Sequence, residues 1–247
     1  MAQLYLDLIK NVLANTIYED PPIPASWAPS EHYDALNRSL GVDWPSVAHT
    51  MIGMRRFENV ESCVKQVLAD GVPGDLIETG VWRGGTCIFM RAILKAHDVT
   101  DRKVWVADSF QGMPRPDATG HQGDRELASH RYNTFMATDI ATVRRNFERY
   151  ELLDDRVELL PGWFRDTLPT APIERLAVLR LDSDLYESTM DTLVHLYPKL
   201  SPGGFVIIDD YHIPVCREAV SDWRVRFGVE DPIEDIDGLG AFWRRTG

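Results

Sequence analysis

The chain has 247 residues, with 26 basic and 38 acidic side chains and a net charge of −12. This charge disfavours nucleic-acid phosphates and anionic membrane surfaces, so we expect neither as a partner. Three cysteines without a C-x-x-C spacing argue against a disulfide framework or a zinc site and favour a cytoplasmic protein. The first twenty residues do not resemble a secretory signal, and no apolar run is long enough to predict a membrane span.

The first seventy residues are predicted to form an N-terminal helical cap or arm. Apolar residues at helical spacing, Leu4, Leu8 and Val12, predict a helix near the start. This helix either packs on its own domain, caps the site or joins two subunits. Prolines between residues 20 and 46, Pro29 among them, predict an irregular arm rather than a linker between domains.

Residues 71–247 are predicted to form an α/β core within a single domain that spans the chain, residues 1–247. Five short apolar runs predict strands: "DLIETGVW", "KVWVADSF", "RVELLPGWF", "LAVLRLDSD" and "GGFVIIDDY". Stretches near 85–97, 138–151, 186–200 and 214–227 predict helices between and after them. This alternation is typical of a mostly parallel sheet with helices on both faces. Two more short strands around Gly238 and Gly240 are predicted at one edge, antiparallel to the rest.

Ligands of such sheets bind outside the carboxyl ends of the strands, so the residues that follow each strand are candidate site residues. After the first strand, Glu78 precedes Gly80, and Gly84 and Gly85 open a helix. The glycine spacing differs from the G-x-G-x-x-G of dinucleotide sites. An acid before the first glycine suits a positively charged ligand such as S-adenosylmethionine. The alternative is a tight turn without a ligand.

The second and third strand ends offer further cofactor contacts. Asp108 ends an apolar strand, where a carboxylate commonly accepts hydrogen bonds from a ribose diol, although it could instead cap a helix. Gly162 and the neighbouring Trp163 or Phe164 could lie beside an adenine ring, or the aromatic residues could belong to the core.

Two pairs of acids follow the fourth and fifth strands, Asp182 with Asp184 and Asp209 with Asp210. If these strands are neighbours, three or four carboxylates converge and repel one another. A hard divalent cation would relieve the repulsion, because such ions prefer oxygen ligands. Solvated acidic loops are the alternative.

These motifs resemble the macrocin-type O-methyltransferases, bacterial enzymes that methylate sugar hydroxyls on glycosylated antibiotics such as macrolides and aminocoumarins. The resemblance covers nearly the whole chain and rests on "AHTMIGMRR", "VPGDLIETGVWRGGTCIFMR", "VWVADSFQGMP", "LLPGWFRDTLPTAPIERLAVLRLDSDLYEST" and "SPGGFVIIDDYHIPVCREAV". It implies a Rossmann-like class I methyltransferase fold with a mostly parallel seven-stranded sheet. It also implies dependence on S-adenosyl-L-methionine and Mg²⁺.

The resemblance assigns roles to individual residues. It implies that Asp182, Asp209 and Asp210 bind the metal, and that residues 111–135 form a mobile lid over the acceptor sugar. The lid sequence and "DSD" in place of "DGD" depart from the family pattern, which leaves the exact acceptor open. The residues predicted to contact the cofactor are Thr50, Met51, Glu78, Thr79, Gly80, Val81, Trp82, Gly85, Asp108, Ser109, Gly162 and Trp163.

The expected reaction needs a base that removes a proton from the acceptor hydroxyl. Asp182, Asp184 and His130 are the candidates, with Asp182 preferred because it lies nearest to the metal. Tyr33, Glu126 and His130 are predicted to contact the acceptor, since they lie in the arm and the lid.

Other functions of this sheet are weighed against the methyltransferase. An oxidoreductase would need a different glycine spacing, a metal-dependent hydrolase would leave Glu78 and Asp108 without a role, and a scaffold would not need these residues at all. A catechol O-methyltransferase-like enzyme would differ only in its acceptor. We expect a small-molecule glycoside as partner and a homo-oligomer, a dimer or a tetramer.

Overall fold

The computed structural model of the chain describes residues 1–25 and 30–247; Pro29 of the predicted arm lies outside them. The five predicted parallel strands and the two short edge strands are confirmed. The strands are β1 (Asp75–Thr79), β2 (Val104–Asp108), β3 (Val157–Pro161), β4 (Leu176–Leu181), β5 (Leu200–Ile208), β6 (Glu234–Asp235) and β7 (Ala241–Arg244).

These strands form one seven-stranded sheet in the order β3-β2-β1-β4-β5-β7-β6. Strands β1 to β5 are parallel to their neighbours, whereas β7 pairs antiparallel with β5 and with β6. The strand order reverses between β1 and β4, so the connections that leave these two strands diverge. A crevice for a ligand opens at this point in doubly wound sheets.

Helices cover both faces of the sheet. Alternation along β1 places Leu76 with the core beneath α1, α3 and α4, and Ile77 with the core beneath α9 and α10. In the described parts of the chain no helix is long and apolar enough to cross a membrane. The helices are α1 (Ala2–Leu13), α2 (Ala35–Leu40), α3 (Met54–Ala69), α4 (Gly85–Ala96), α5 (Gln122–Leu127), α6 (Asn133–Met136), α7 (Ile140–Arg149), α8 (Phe164–Thr167), α9 (Tyr186–Leu196) and α10 (Pro214–Phe227), with short 3₁₀ turns at Ser129–Tyr132, Leu168–Thr170 and Tyr197–Lys199.

Helix boundaries follow local chemistry. Helix α9 ends before the predicted residue 200 because Pro198 has no N–H to continue the hydrogen-bond ladder. Helix α7 begins after Asp139, whose carboxylate accepts the N–H of Thr142 at 2.8 Å.

Helix α1 packs through a different face from the predicted one. Leu6, Ile9 and Leu13 are buried in the core, whereas Leu4 and Leu8 are 71% and 54% exposed. The sequence offers two apolar stripes on this helix, and periodicity alone does not tell which of them meets the sheet layer.

Candidate active site

An arginine lies at the centre of the acidic strand ends. Glu78 on β1 is in register with Arg180 on β4, and the two-residue period of β5 places Asp209 on the same side. Arg180 is fully buried and donates hydrogen bonds to the carboxylates of Glu78, Asp182 and Asp209. The cation therefore neutralises part of the charge that the acidic motifs bring to this edge.

Asp209 is enclosed by two guanidinium groups. Arg56 of α3 donates to one carboxylate oxygen at 2.5 Å, and Arg180 donates to the other. Burial by itself raises the pKa of Asp209, but the two arginines outweigh it and hold the pKa below its usual value. Both oxygens of Asp209 therefore accept from guanidinium groups in this structure, and its role as a metal ligand stays a prediction.

Asp182, Asp184 and Asp210 form the cluster that could hold a metal ion. Each offers one oxygen, and the three oxygens lie within 4.8 Å of one another. Burial, followed by repulsion from the neighbouring carboxylates, raises the pKa of Asp184 to about 6 and raises those of Asp182 and Asp210 well above their usual range. Two of the three predicted metal ligands, Asp182 and Asp210, thus lie together, and Asp184, predicted as a base, joins them.

A cavity of about 560 Å³ opens above this cluster. It is walled by the three clustered aspartates, by the loop after β1 and by residues of the arm and the lid. Of the residues predicted to contact the cofactor, those that line it are Thr50, Met51, Glu78, Gly80, Val81, Trp82 and Asp108.

A smaller cavity of about 90 Å³ adjoins the first. Both cavities are lined by Gly80, Asp108 and Asp182, so they meet at the crevice of the sheet. Ser109, Gly162 and Trp163 line the smaller one. The aromatic ring of Trp163 therefore faces a cavity rather than only the core, as a partner of adenine would.

Asp108 is held in place by backbone donors. Its carboxylate accepts the N–H of Val81 at 2.8 Å and that of Phe110 at 2.7 Å, and burial raises its pKa. It caps no helix in this part of the chain. These bonds fix the carboxylate at the mouth of the crevice and leave it lone pairs for a further donor such as a ribose hydroxyl.

Glu78, predicted to contact a cationic cofactor, is also paired within the protein. It pairs with Arg180 and accepts a hydrogen bond from the thiol of Cys87 at 2.8 Å. Although it lines the larger cavity, its charge is already compensated within the protein.

Thr79 and Gly85, both predicted cofactor contacts, line neither cavity. Thr79 follows Glu78 on the strand and points to the opposite face, where its hydroxyl lies 3.4 Å from that of Thr192. Gly85 instead packs closely against the arm. A Cβ at this position would lie 2.4 Å from the carbonyl oxygen of His49, so a larger residue would clash there.

The three predicted acceptor contacts are also placed elsewhere; the two cavities are not lined by Tyr33, Glu126 or His130. Tyr33 stacks on Arg38 of the arm. Glu126 is exposed and bonded to Gln122 on its own helix. His130 lies in the lid, and its buried Nδ1 has no hydrogen-bond partner in the described structure, so its role as a base stays a prediction.

Arg180 and Arg56 are the site residues that sequence reasoning missed. A signal existed for the first, since an arginine inside the apolar run "LAVLRLDSD" implies buried acids as partners. Arg56 carries no such signal, because Asp209 lies 153 residues away in sequence. The lid residues Leu127, Ser129 and Tyr132, which wall the larger cavity, were not singled out either.

The chain is similar to proteins of defined activity over its full length. Residues 2–245 match the family described as Macrocin-O-methyltransferase (TylF). It is 63% identical over 98% of its length to the 8-demethyl-8-(2,3-dimethoxy-alpha-L-rhamnosyl)-tetracenomycin-C 4'-O-methyltransferase of Streptomyces olivaceus, of which 93% is covered. It is 57% identical over 99% of its length to the Mycinamicin III 3''-O-methyltransferase of Micromonospora griseorubida, of which 97% is covered.

The fold agrees with that similarity. The solved structure of the O-methyltransferase NovP superposes with a TM-score of 0.95 at 56% identity, with both chains covered completely. The two chains therefore share one fold over their full length. The chain is a member of the macrocin-O-methyltransferase family and an S-adenosylmethionine-dependent methyltransferase.

Proposed function

We propose that this protein transfers the methyl group of S-adenosylmethionine to a sugar hydroxyl of a glycosylated natural product, with Mg²⁺ as a bound cation. The convergence of Asp182, Asp184 and Asp210 beside the larger cavity carries the proposal. Both curated relatives named above act on glycosides, as their names state, which supports a sugar as the acceptor.

The carboxylate cluster fits a divalent cation. Three oxygens within 4.8 Å can share one hard ion, and their mutual repulsion makes the cluster receptive to positive charge. Arg180 donates to Asp182 at 2.9 Å but makes no ion pair with Asp184 or Asp210 in the described structure. When bound there, the ion would act as a Lewis acid that lowers the pKa of an acceptor hydroxyl.

Asp184 is the best placed base in the cluster. It follows the strand end in a left-handed conformation, with a φ of 56°, which turns it toward Asp210. Asp182, the base preferred on sequence grounds, shares one of its oxygens with Arg180, whereas Asp184 forms no ion pair in the described structure. We therefore assign proton removal from the acceptor hydroxyl to Asp184.

The remaining residues of the site orient the reactants and exclude water. Asp108 and Trp163 border the region proposed for the nucleoside of the cofactor, whose sulfonium supplies an activated methyl group. Leu127 and Tyr132 of the lid line the larger cavity and would shield it from water. Fixing the acceptor at contact distance accounts for a large part of the rate enhancement in such transfers.

The first experiment is a calorimetric titration of S-adenosylhomocysteine into chelator-treated protein, repeated with Mg²⁺ and followed by turnover of demethylated glycosides. We expect cofactor binding in both conditions and methyl transfer only with the cation. Turnover that persists in the chelator would overturn the metal assignment. A failure of every glycoside acceptor, with catechols turned over instead, would overturn the sugar assignment.

We also propose that the protein is a homo-oligomer, with a second copy covering the exposed stripe of α1. Leu4 and Leu8 lie on that stripe, next to the exposed Met1. Exposed leucines on adjacent turns of one helix are typical of a surface that packs against another chain. Light scattering tests this: a Leu4→Ser/Leu8→Ser double variant should lower the measured mass, and an unchanged mass would contradict the proposal.

The cytoplasm is the compartment we propose for the reaction. Cys63, Cys87 and Cys216 are all free and buried. Burial raises the pKa of the Cys63 thiol to about 12, so this side chain stays protonated and inert. Free thiols suit a reducing compartment, and thiol titration of protein purified without reductant tests this by returning three free thiols per chain.

A further inference from the structure

The lid, residues 111–135, is closed at its base and docked at its tip. At the base, the amide of Asn133 accepts the N–H of Met113 and donates to its carbonyl, both at 2.8 Å. Gly112 beside it has a φ of +83°, and a Cβ there would lie 2.5 Å from the Asn133 side chain. The two ends of the lid are therefore held together at a defined neck.

At the tip, a buried carboxylate joins the lid to α9. Asp124 of α5 is 2% exposed. One of its oxygens accepts the N–H of Tyr186 at 2.7 Å, and the other accepts the N–H of Glu187 at 3.1 Å. These are the first two residues of α9, whose own N-cap residue is Leu185 and provides no side-chain acceptor. The lid thus supplies the cap that this helix lacks locally.

The contact is reciprocal. The carboxylate of Glu187 accepts the N–H of His121 in the lid at 3.0 Å. The rings of His121 and Tyr186 are stacked, with centroids 3.9 Å apart and planes 7° from parallel. A Cβ on Gly123 would lie 2.1 Å from Val215 of α10, so the lid helix fits closely against that helix as well. Docking therefore has one geometry rather than many.

The docking surface on α9 begins two residues after Asp184 of the carboxylate cluster. Asp184 and Asp182 precede α9, and Asp124 holds the first turn of the same helix. On the other side, Leu127 and Ser129 follow Asp124 in the lid and wall the larger cavity. The carboxylate of Asp124 thus connects the lid, which lines the larger cavity, to the helix that follows the proposed catalytic carboxylates.

We propose that Asp124 is a positioning residue, which docks the lid on the first turn of α9 and so holds the acceptor against the carboxylate cluster. The proposal deepens the function proposed above and rests on it. Asp124 borders the smaller cavity, but both of its carboxylate oxygens are engaged by N–H groups of α9, so the role we assign to it acts through the lid residues and α9.

The balance of forces suits a reversible contact. Docking takes the carboxylate out of water, and this burial raises the pKa of Asp124. The two N–H donors at a helix N-terminus offset that penalty, since the helix dipole favours a negative charge there. The contact therefore combines a stabilising and a destabilising contribution, as expected for a contact that opens when substrates enter and products leave.

The test compares Asp124→Ala and Asp124→Asn with Asp139→Ala. Asp139 is a matched control because it also caps a helix, α7, but it is exposed and lies outside the lid. In Asp124→Asn a single amide oxygen must serve two N–H groups, so its effect should lie between those of wild type and alanine. Amide hydrogen exchange of residues 111–135, thermal midpoints, and kcat and KM for the acceptor are measured in the full chain.

We expect faster exchange throughout the lid and an acceptor KM raised about tenfold in Asp124→Ala, with an increase of about threefold in Asp124→Asn. The kcat should change less than KM, because saturating acceptor restores the docked state. Asp139→Ala should lower the thermal midpoint and leave lid exchange and KM unaltered.

Two results would overturn the proposal: lid exchange that stays slow in Asp124→Ala, or a variant that loses only thermal stability, as the control does. If no glycoside is methylated by wild type, the proposed function fails, yet the exchange experiment still decides whether Asp124 docks the lid. The two failures are therefore distinguishable.

Discussion

The carboxylates at the strand ends fall into two groups that differ in how their charge is balanced. Glu78 and Asp209 face arginines, Arg180 for both and Arg56 for the second. Asp184 and Asp210 face each other and Asp182, and their pKa values rise through burial and mutual repulsion. The first group is an internal ion-pair network that joins three strands and a helix. The second is a destabilised arrangement of the kind that persists at functional sites.

The largest expected effect is on catalysis, from a substitution in the cluster of Asp182, Asp184 and Asp210. Asp210→Asn should lower kcat roughly a thousandfold, because it removes a charge from the cation site where transition-state charge is stabilised. The same change should leave the thermal midpoint unaltered or raise it, since it relieves like-charge repulsion. Single-turnover kinetics and calorimetry measure the two quantities.

The control for this change is Asp235→Asn, an exposed acid on β6. It should alter neither quantity. Retention of most of the activity in Asp210→Asn would place this carboxylate in the structural group and remove it from the metal site.

For the carboxylates that are paired with arginine, we expect the opposite pattern, in which a substitution lowers stability. Arg180→Met leaves Glu78, Asp182 and Asp209 without their shared cation, so it should lower the free energy of unfolding by about 3–5 kcal/mol. Urea unfolding at neutral pH measures the loss. Arg156→Met is the matched control, because Arg156 pairs with the exposed Asp155 at 3.7 Å and should cost less than about 1 kcal/mol. Equal losses would mean that burial does not distinguish the two pairs.

Sequence patterns predicted those features that depend on neighbouring residues along one strand. The period of two along "LAVLRLDSD" and the acids that end each strand predicted the sheet, its crevice and the convergence of Asp182 with Asp210. Asp108 and Trp163 reached cavities for the same reason. These inferences need only strand direction and neighbourhood, which the β/α alternation supplies.

The remaining features depend on tertiary contacts that no local pattern encodes. Asp209 meets Arg56 across 153 residues, and no local pattern predicts that this carboxylate is paired with arginine. Thr79 lies one residue from Glu78 and faces away from the cavity. Within the predicted lid, its helical turns place Tyr132, and not His130 or Glu126, along the larger cavity.

His49 adds a third case to the comparison: a buried titratable side chain that has no counter-charge and is neutral in the folded protein. Burial, assisted by Arg149 and Arg83, lowers its pKa to about 4, and its Nδ1 lies 2.8 Å from the hydroxyl of Tyr150. In the unfolded chain its pKa is about 6.5, so between these values only the unfolded state binds the proton. Stability should therefore fall by about 1–3 kcal/mol as the pH drops from about 6.5 to about 4.

Urea midpoints across that pH range test this in wild type, His49→Gln and His97→Gln, where His97 is an exposed control. The change in stability with pH should be smaller in His49→Gln and unaltered in His97→Gln. Other groups titrate in the same range, but they do so equally in all three proteins. Identical pH profiles for the His49 variant and wild type would show that this histidine is protonated freely in the folded state.

The smallest effect on stability is expected for an exposed ion pair, whose charges are already solvated by water. Lys103 and Glu158 form an ion pair at 2.6 Å between β2 and β3, and their side chains are 36% and 40% exposed. Water already solvates both charges, so a double-mutant cycle with Lys103→Gln and Glu158→Gln should give a coupling energy of less than about 1 kcal/mol. Added salt should reduce it further, because exposed charges are screened. A coupling as large as the loss in Arg180→Met would mean that proximity, and not burial, sets the strength of ion pairs in this protein. A small one would leave burial as the property that separates the arginine network from the rest of its surface charge.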